Sequence, residues 1–389
     1  MTFMEIVSKS LTENLRKTGH NSRFSILRTI KYSGNKSRLL QAIYHLVEQV
    51  VSPGGRILDL MAGTHCVGYA LKQQYQIYAN DIQEYSSIIG KAFIENGGYS
   101  ISRDFAEKEL VMNIIQNQKT KSFDLFQTTY PNTYFTTSQC IEIDNIRAAI
   151  EKVPTPQKEL YLTMLMSAMS YASNTTGHFA EYLNKQPSNP RSIEELFFQK
   201  CENLTVAPNC YQNVVFNRDY KEFLGSEQEL VETVEKSNLV YLDPPYSAAQ
   251  YSRFYHILET LVKYDYPSVE FKGRYRKERH FSNFCRKSKA QKELDQALRR
   301  LKELNRHFVL LSYVDSSSCL IPRDIFQEIV QNHFEYATKP LTCLISHSRL
   351  GNGSKRVIEY LILATNSKND KTIVDKLSRQ LSRAQILKY

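Results

Sequence analysis

The residues best suited to chemistry stand together at Asp243-Pro244-Pro245-Tyr246, where the apolar run "NLVYL" ends. An ordinary turn needs one proline at most. Two in succession remove two backbone N–H groups and fix the main chain. That leaves the Pro244 carbonyl and the Asp243 carboxylate as acceptors aimed at one spot. Two such acceptors match an NH₂ group, which has two hydrogens to donate. Tyr246 offers a face on which a planar ring can stack. A nucleobase with an exocyclic amine, extruded from its helix, meets this description. Acid-Pro-Pro-aromatic arises by chance in a chain of this length on the order of one time in a hundred.

A second group lies nearer the N-terminus. "ILDLMAGTHCVG" (57–68) puts Asp59 at a strand end and Gly63 in the turn that follows, and "YQIYAND" (75–81) ends in Asp81. In an open α/β sheet a nucleoside-bearing cofactor lies over the carboxyl ends of the strands. Glycine lets the backbone approach it, and an acid at the second strand end can bond ribose hydroxyls. Tight packing of the turn is the competing reading. The dinucleotide pattern G-x-G-x-x-G is not met, because His65 stands where the second glycine would be. A cofactor without phosphates therefore fits better.

These residues need a scaffold. Strand, glycine loop, helix, strand and acid make the first βαβ of a doubly wound sheet. Further strands are expected at "NVVFNRDY" (213–220), "NLVYLDPPY" (238–246), "FVLLSYVD" (308–315), "KPLTCLIS" (339–346) and "RVIEYLILAT" (356–365). The last two flank "HSRLGNGSK", whose Asn352-Gly353 is a hairpin signal. "KSRLLQAIYHLVEQVV" (36–51) and "AQKELDQALRRLKELNRH" (290–307) carry helical spacing. Residues 1–30 read as a polar, partly helical lead-in. The stretch at about 100–210 is polar, helical in places and poor in strand signals, which predicts a smaller inserted domain. The fold class expected is α/β: a Rossmann-like doubly wound sheet with a C-terminal antiparallel hairpin and an inserted, mainly helical domain.

The chain has 389 residues and a net charge of +10, a balance that favours anionic partners, nucleic acid first among them. The 7 cysteines are scattered, odd in number and without a C-x-x-C pair. That argues against zinc and against a disulfide framework, and suits a reducing cytoplasm. The polar N-terminus is no signal peptide, and no apolar run is long enough to span a membrane.

Several groups could meet nucleic acid. The segment 271–289 contains Arg274, Arg276 and Lys277 among interleaved aromatics, and could contact phosphates or be a solvated face. Asn174 and His178, in "SNTTGHF" (173–179), could read bases or build a turn. Tyr251 and Tyr255 share a helical face with Arg253 and His256 nearby; they could line a groove or pack. Asp219 could bind a cofactor or cap a helix.

Six segments, in order, resemble the Dam-like (alpha-group) DNA adenine-N6 methyltransferases, which use S-adenosylmethionine. "KYSGNK" (31–36) is similar to the motif whose aromatic and last lysine, here Tyr32 and Lys36, contact the methionine part of the cofactor. "DLMAGTHCVG" (59–68) resembles the glycine-rich motif containing Asp59 and Gly63. "NDI" (80–82) matches the ribose-binding acid, Asp81, and "VVFNRDYKEFL" (214–224) the strand whose Asp219 reaches the cofactor's adenine. "YLDPPY" (241–246) matches the catalytic motif, and "HSRLGNGSKRVIEYLILAT" (347–365) the closing hairpin. The chain departs from the pattern at Met61 and His65, where the family usually has Phe and Gly, and over 247–290.

The resemblance implies a catalytic domain of residues 1–99 and 211–389, and a target-recognition domain at 100–210. It implies methyl transfer from S-adenosylmethionine to the N6 amine of a flipped adenine in double-stranded DNA, with Asp243, Pro244 and Tyr246 catalytic and no metal required. Cytosine N4, an RNA adenine, or a DNA-binding relative without turnover stay open as alternatives. Whether a cognate restriction endonuclease accompanies the protein is not written in the sequence.

Overall fold

The computed structural model describes residues 27–202, 204–305, 307–349, 353–382 and 387–388. Most of the polar lead-in and the Asn352 turn fall outside these residues.

One mixed sheet organises the chain. Its main strands are β1 (Arg56–Asp59), β2 (Gln76–Asn80), β3 (Val214–Phe216), β4 (Leu239–Leu242), β5 (Phe308–Asp315), β6 (Leu341–Arg349) and β7 (Gly353–Thr365). They lie in the order β3-β2-β1-β4-β5-β7-β6. The first five are parallel to one another, and β7 runs antiparallel to both β5 and β6. Each strand expected from the sequence is present.

The helices of six or more residues are α1 (Leu40–Glu48), α2 (Cys66–Leu71), α3 (Glu84–Gly90), α4 (Arg103–Thr120), α5 (Thr137–Glu151), α6 (Gln157–Ala172), α7 (Ile193–Cys201), α8 (Gln228–Glu235), α9 (His256–Lys263), α10 (Ala290–Leu304), α11 (Arg323–His333) and α12 (Lys371–Ser382). They cover both faces of the sheet, as a mostly parallel sheet requires. Alternation along β4 shows why. Leu239 and Tyr241 enter the core shared with α1, α3 and α9, while Val240 and Leu242 enter the one shared with α8, α10 and α11. In α10 the buried Leu294, Ala297, Leu298, Leu301 and Leu304 follow helical spacing, and of its charged residues Glu293 alone is buried, bonded by Tyr220 and Asn283 and paired with Lys221.

Between β2 and β3 the chain leaves the sheet to build α3–α7. The two ends of its middle part meet in a short antiparallel ribbon, Ser100–Ile101 against Leu204–Thr205. Thr136 and Gln139 form a reciprocal capping box at the start of α5. Arg147, buried in α5, donates to the Leu261 and Val262 carbonyls at the end of α9, at 3.0 and 3.3 Å. Ile143, Leu165 and Phe197 of this segment belong to the same core as Ile57 and Tyr255, so the helices rest on the sheet's own core. Among the described residues no helix is long and apolar enough to cross a membrane.

His65 explains one departure of the sequence. It begins α2 in the left-handed region, φ 58°, where glycine is favoured. Its ring compensates by filling the space over Gly90, with Nε2 3.1 Å from Ser86 Oγ, and burial pushes its pKa down to about 4. A Cβ at Gly90 would stand 2.6 Å from the His65 ring and 2.8 Å from Val215. Gly90→Ala is therefore expected to lower stability by about 1–3 kcal/mol through overpacking, read from the denaturant midpoint.

Candidate active site

The strand order reverses beside β1: β2 and β3 lie to one side of it, β4 and β5 to the other. At such a point the loops diverge and leave a crevice at the carboxyl ends of the strands. Asp59 ends β1, Asp81 follows β2 and Asp243 follows β4. All three line one cavity, together with Tyr32, Lys36, Gly63, Asp219, Pro244, Tyr246 and Tyr251.

Its electrostatic centre is Lys36. The 31–36 loop carries this side chain into the interior, where it is 4% exposed. The ammonium lies 2.8 Å from Asp243 Oδ2 and 3.6 Å from Glu359 Oε2, and donates to the Gly34 carbonyl at 2.8 Å. Burial alone would pull Lys36 down. Asp243 and then Glu359 outweigh it and hold the group well above the ordinary lysine range. For Asp243, burial pushes the carboxyl up to about 6, with Lys36 pulling against it. Lys36 is thus charged at neutral pH and holds the acid it faces in its ionised form.

Asp59 has no such partner. It is 2% exposed, and neither carboxylate oxygen has a hydrogen-bond partner. Burial, then the neighbouring charges of Asp243 and Asp81, push it well above the carboxylate range. A buried carboxylate facing a cavity without a donor is suited to a cationic ligand group.

Asp81 is held by the loop it serves. Its Oδ2 accepts from the Gly63 amide at 2.9 Å and its Oδ1 from the Gln83 amide at 2.8 Å. Burial pushes this carboxyl up to about 6 against the two amides. Gly63 has φ 55°, and a Cβ there would come within 3.1 Å of Tyr32. Asp219 is a helix cap: its carboxylate accepts from the Lys221 amide at 3.0 Å and forms a capping box with Glu222. It lines the cavity as well, so the two readings of this acid are compatible.

Aromatic rings form the wall. Tyr32 stacks on the fully buried Tyr255 at 4.7 Å, with Tyr251 at 5.4 Å. The Ser33 amide donates to Tyr255 Oη at 2.7 Å, and Tyr251 Oη donates to the Ser33 carbonyl at 3.1 Å. The tail after the Pro-Pro turn therefore clamps the 31–36 loop. Tyr246 sets its edge against Tyr313, and its carbonyl accepts from Leu320 at 2.8 Å.

The residues expected to meet nucleic acid divide. Arg276 is 5% exposed and makes two bonds to Asp265, at 2.7 and 2.6 Å, so the expectation of an exposed phosphate contact is corrected by its internal charge partner. Arg274 donates to the Thr129 carbonyl, and Lys277 is exposed. Asn174 is buried, and its amide group donates to the Leu183 carbonyl at 2.9 Å, closing a loop rather than facing outward. His178 is half-buried and stacks on Phe254 at 4.0 Å. His256 is fully buried against Tyr134 and the Phe179 carbonyl.

Sequence reasoning missed Glu359, Asn80 and His280. Glu359 sits in β7 opposite Val314 and Cys343, and reaches Lys36 only through sheet order. Asn80 donates to the Leu60 and Arg218 carbonyls, at 3.2 and 3.1 Å, and so ties the Asp219 loop to β1. His280 joins the cavity wall through its carbonyl's bond from Ser252. An acid inside an otherwise apolar strand, "VIEYLIL", was the one available signal for Glu359.

Comparison with known proteins decides the family. The model of the D12 class N6 adenine-specific DNA methyltransferases matches residues 32–315, from Tyr32 of the 31–36 loop through the end of β5. The chain belongs to the D12 class N6 adenine-specific DNA methyltransferases. The chain is 29% identical to the type II methyltransferase M.FokI of Planomicrobium okeanokoites over 324 residues, which is 78% of this chain and 47% of that protein. It is 26% identical to the modification methylase LlaI of Lactococcus lactis subsp. lactis over 317 residues, 76% of this chain and 47% of that protein. The chain thus spans about half the length of these relatives. It covers more of the type II methyltransferase M.NlaIII of Neisseria lactamica, 73%, at 24% identity. Within this D12 chain, the matched stretch holds Asp59, Asp81, Asp219 and Asp243 but ends before Glu359.

Lys36→Met would leave Asp243 and Glu359 without their cation. Breaking a buried pair in this way costs about 3–5 kcal/mol. Asp243, its carboxyl raised further once Lys36 no longer pulls against burial, recovers its neutral form as pH falls. The deficit relative to wild type, measured by denaturant unfolding, is expected to be largest near pH 8 and to shrink toward pH 5.

Proposed function

We propose that the protein is an S-adenosylmethionine-dependent DNA methyltransferase that methylates the N6 amine of an adenine flipped out of double-stranded DNA. The observation that carries this reading is the convergence of Asp59, Asp81, Asp243 and Tyr246 on one cavity at the point where the strand order reverses. Family membership supports adenine as the base. Residues 100–210 are proposed to be the target-recognition region, with 1–99 and 211–389 forming the catalytic part. The names of the relatives, modification methylases and type II methyltransferases, suggest a cognate restriction endonuclease as a functional companion.

The cavity has the donors and acceptors that the cofactor needs. Asp59, lacking any partner, would take the ammonium of the methionine part. Asp81 would take ribose hydroxyls and Asp219 the adenine amine, while Tyr32 and Gly63 allow close approach. When bound, S-adenosylmethionine supplies an electrophilic methyl group on a sulfonium centre.

The remaining work belongs to the protein. The adenine N6 lone pair is delocalised into the ring and is a poor nucleophile. Asp243 and the Pro244 carbonyl, accepting its two N–H bonds, would draw the nitrogen toward tetrahedral geometry and localise the pair. Tyr246 would hold the base by stacking, worth about 1–3 kcal/mol. Asp243 would keep its hydrogen bond to N6 through the transfer and would pass the proton that N6 then releases to solvent. Lys36 would keep Asp243 ionised, and Glu359 would give the ammonium a second anion when the amine engages Asp243.

The test is transfer of labelled methyl groups from S-adenosylmethionine to plasmid DNA prepared from a host without adenine methylation. Label should appear as N6-methyladenine. A protein that binds the cofactor yet labels no DNA would overturn the reading. Asp243→Ala should reduce transfer by at least about 10³-fold with cofactor affinity kept within a few fold, because the carboxylate faces the base rather than the cofactor. Because only the ionised acid accepts from N6, the wild-type rate should fall as pH drops through about 6. Glu359 raises Asp243, so Glu359→Gln should move that acid limb to lower pH, as measured by the pH profile of single-turnover transfer.

A further inference from the structure

The internal pairing of Arg276 with Asp265 and of Arg279 with Glu270 removes charge from the segment that the sequence points to for phosphate contact. Another basic group is free. We propose that Lys31 and Lys200, gathered around the Tyr171 ring, form together with nearby Arg191 the contact for the phosphodiester backbone beside the extruded base. This inference rests on the function proposed above.

Three observations carry it. The first is the cluster itself. Lys200 Nζ lies 4.2 Å and Lys31 Nζ 5.2 Å from the centroid of Tyr171. Tyr171 is 38% exposed, at the end of α6. Among the described residues none of the three cations forms an ion pair. Partial burial, and then Arg191, hold both lysines below their ordinary range, so the group is one of mutually repelling charges. An anion arriving from outside relieves that repulsion.

The second is location. The Lys31 amide donates to Ser170 Oγ at 3.0 Å, fixing the cluster to the loop that carries Tyr32 and Lys36. Tyr171 also lines a second cavity with Arg28, Arg38, Tyr246 and Glu359. This cavity shares Tyr32, Gly34, Asn35 and Tyr246 with the first, so the two adjoin along the 31–36 loop. A base that reaches Asp243 past Tyr246 from this side leaves its flanking phosphates at the rim, where the cluster stands.

The third is composition. The cations come from two parts of the chain, the cofactor-side loop and the helical insertion at α7. A backbone contact there would orient the duplex across both, which is what phosphate contacts do in general.

The experiment is the salt dependence of binding to a random-sequence duplex by the full chain and by the triple variant Lys31→Gln, Arg191→Gln, Lys200→Gln. Each lost phosphate contact reduces the slope of log affinity against log salt by about 0.9, so a reduction of about 2 to 3 is expected. Affinity near 0.1 M salt should fall on the order of tenfold or more. Cofactor affinity of the triple variant should stay within a few fold, which separates lost contact from misfolding. Lys200→Arg, which keeps the charge, should keep the slope. If the wild type binds duplex and transfers methyl groups but the triple variant shows an unchanged slope, this inference is wrong and the proposed function stands. If the wild type neither binds duplex nor transfers methyl groups, the proposed function fails and the inference with it.

Discussion

The site depends on one buried cation. Lys36 stands between Asp243 and Glu359, with Asp59 in the same cavity. Three carboxylates could not share that space uncompensated, because each anion removed from water raises the cost of the next. The ammonium allows Asp243 to stay ionised although its side chain is only 17% exposed. It also couples distant parts of the chain: the 31–36 loop, the end of β4 and the middle of β7 must all be in place before the charges balance. The C-terminal strand pair is thus electrically part of the candidate site, although it contributes no residue to the Asp-Pro-Pro-Tyr turn.

Packing enforces the same geometry by other means. The tyrosines following the Pro-Pro turn brace the 31–36 loop through one stack and two hydrogen bonds to Ser33, so the loop that delivers Lys36 is fixed by the tail of the motif that contains Asp243. Asn80 and the Asp219 cap do the same for the opposite wall. At His65 the chain accepts a left-handed residue where glycine would be easier, and uses the ring to fill the gap over Gly90. The ring packs beneath the loop, and above it Asp81 accepts from the Gly63 amide.

Much of this was legible in the sequence. Apolar runs of strand length, broken by glycine and acid, set the strands to within a few residues, because burial on both faces of a parallel sheet leaves few other patterns. The Asp-Pro-Pro-Tyr turn, the acids at the strand ends and the order of six short motifs were readable too, since each is local. Asp219 shows the limit of local reading: cap and cavity lining are indistinguishable in sequence and coexist in the fold.

What only the tertiary structure decided were partnerships across the chain. Composition counts Arg276 as a surface cation, but its charge is spent on Asp265. Asn174 has the chemistry to read a base and instead closes a loop on Leu183. Glu359 lies far from Lys36 in sequence and touches it only because β7 inserts between β5 and β6. The sequence by itself determined which groups could act and which strands would hold them, because those follow from residue type and spacing of a few positions. Which charges meet, and which remain free to meet a ligand, depends on strand order and side-chain burial, and these are properties of the whole folded chain.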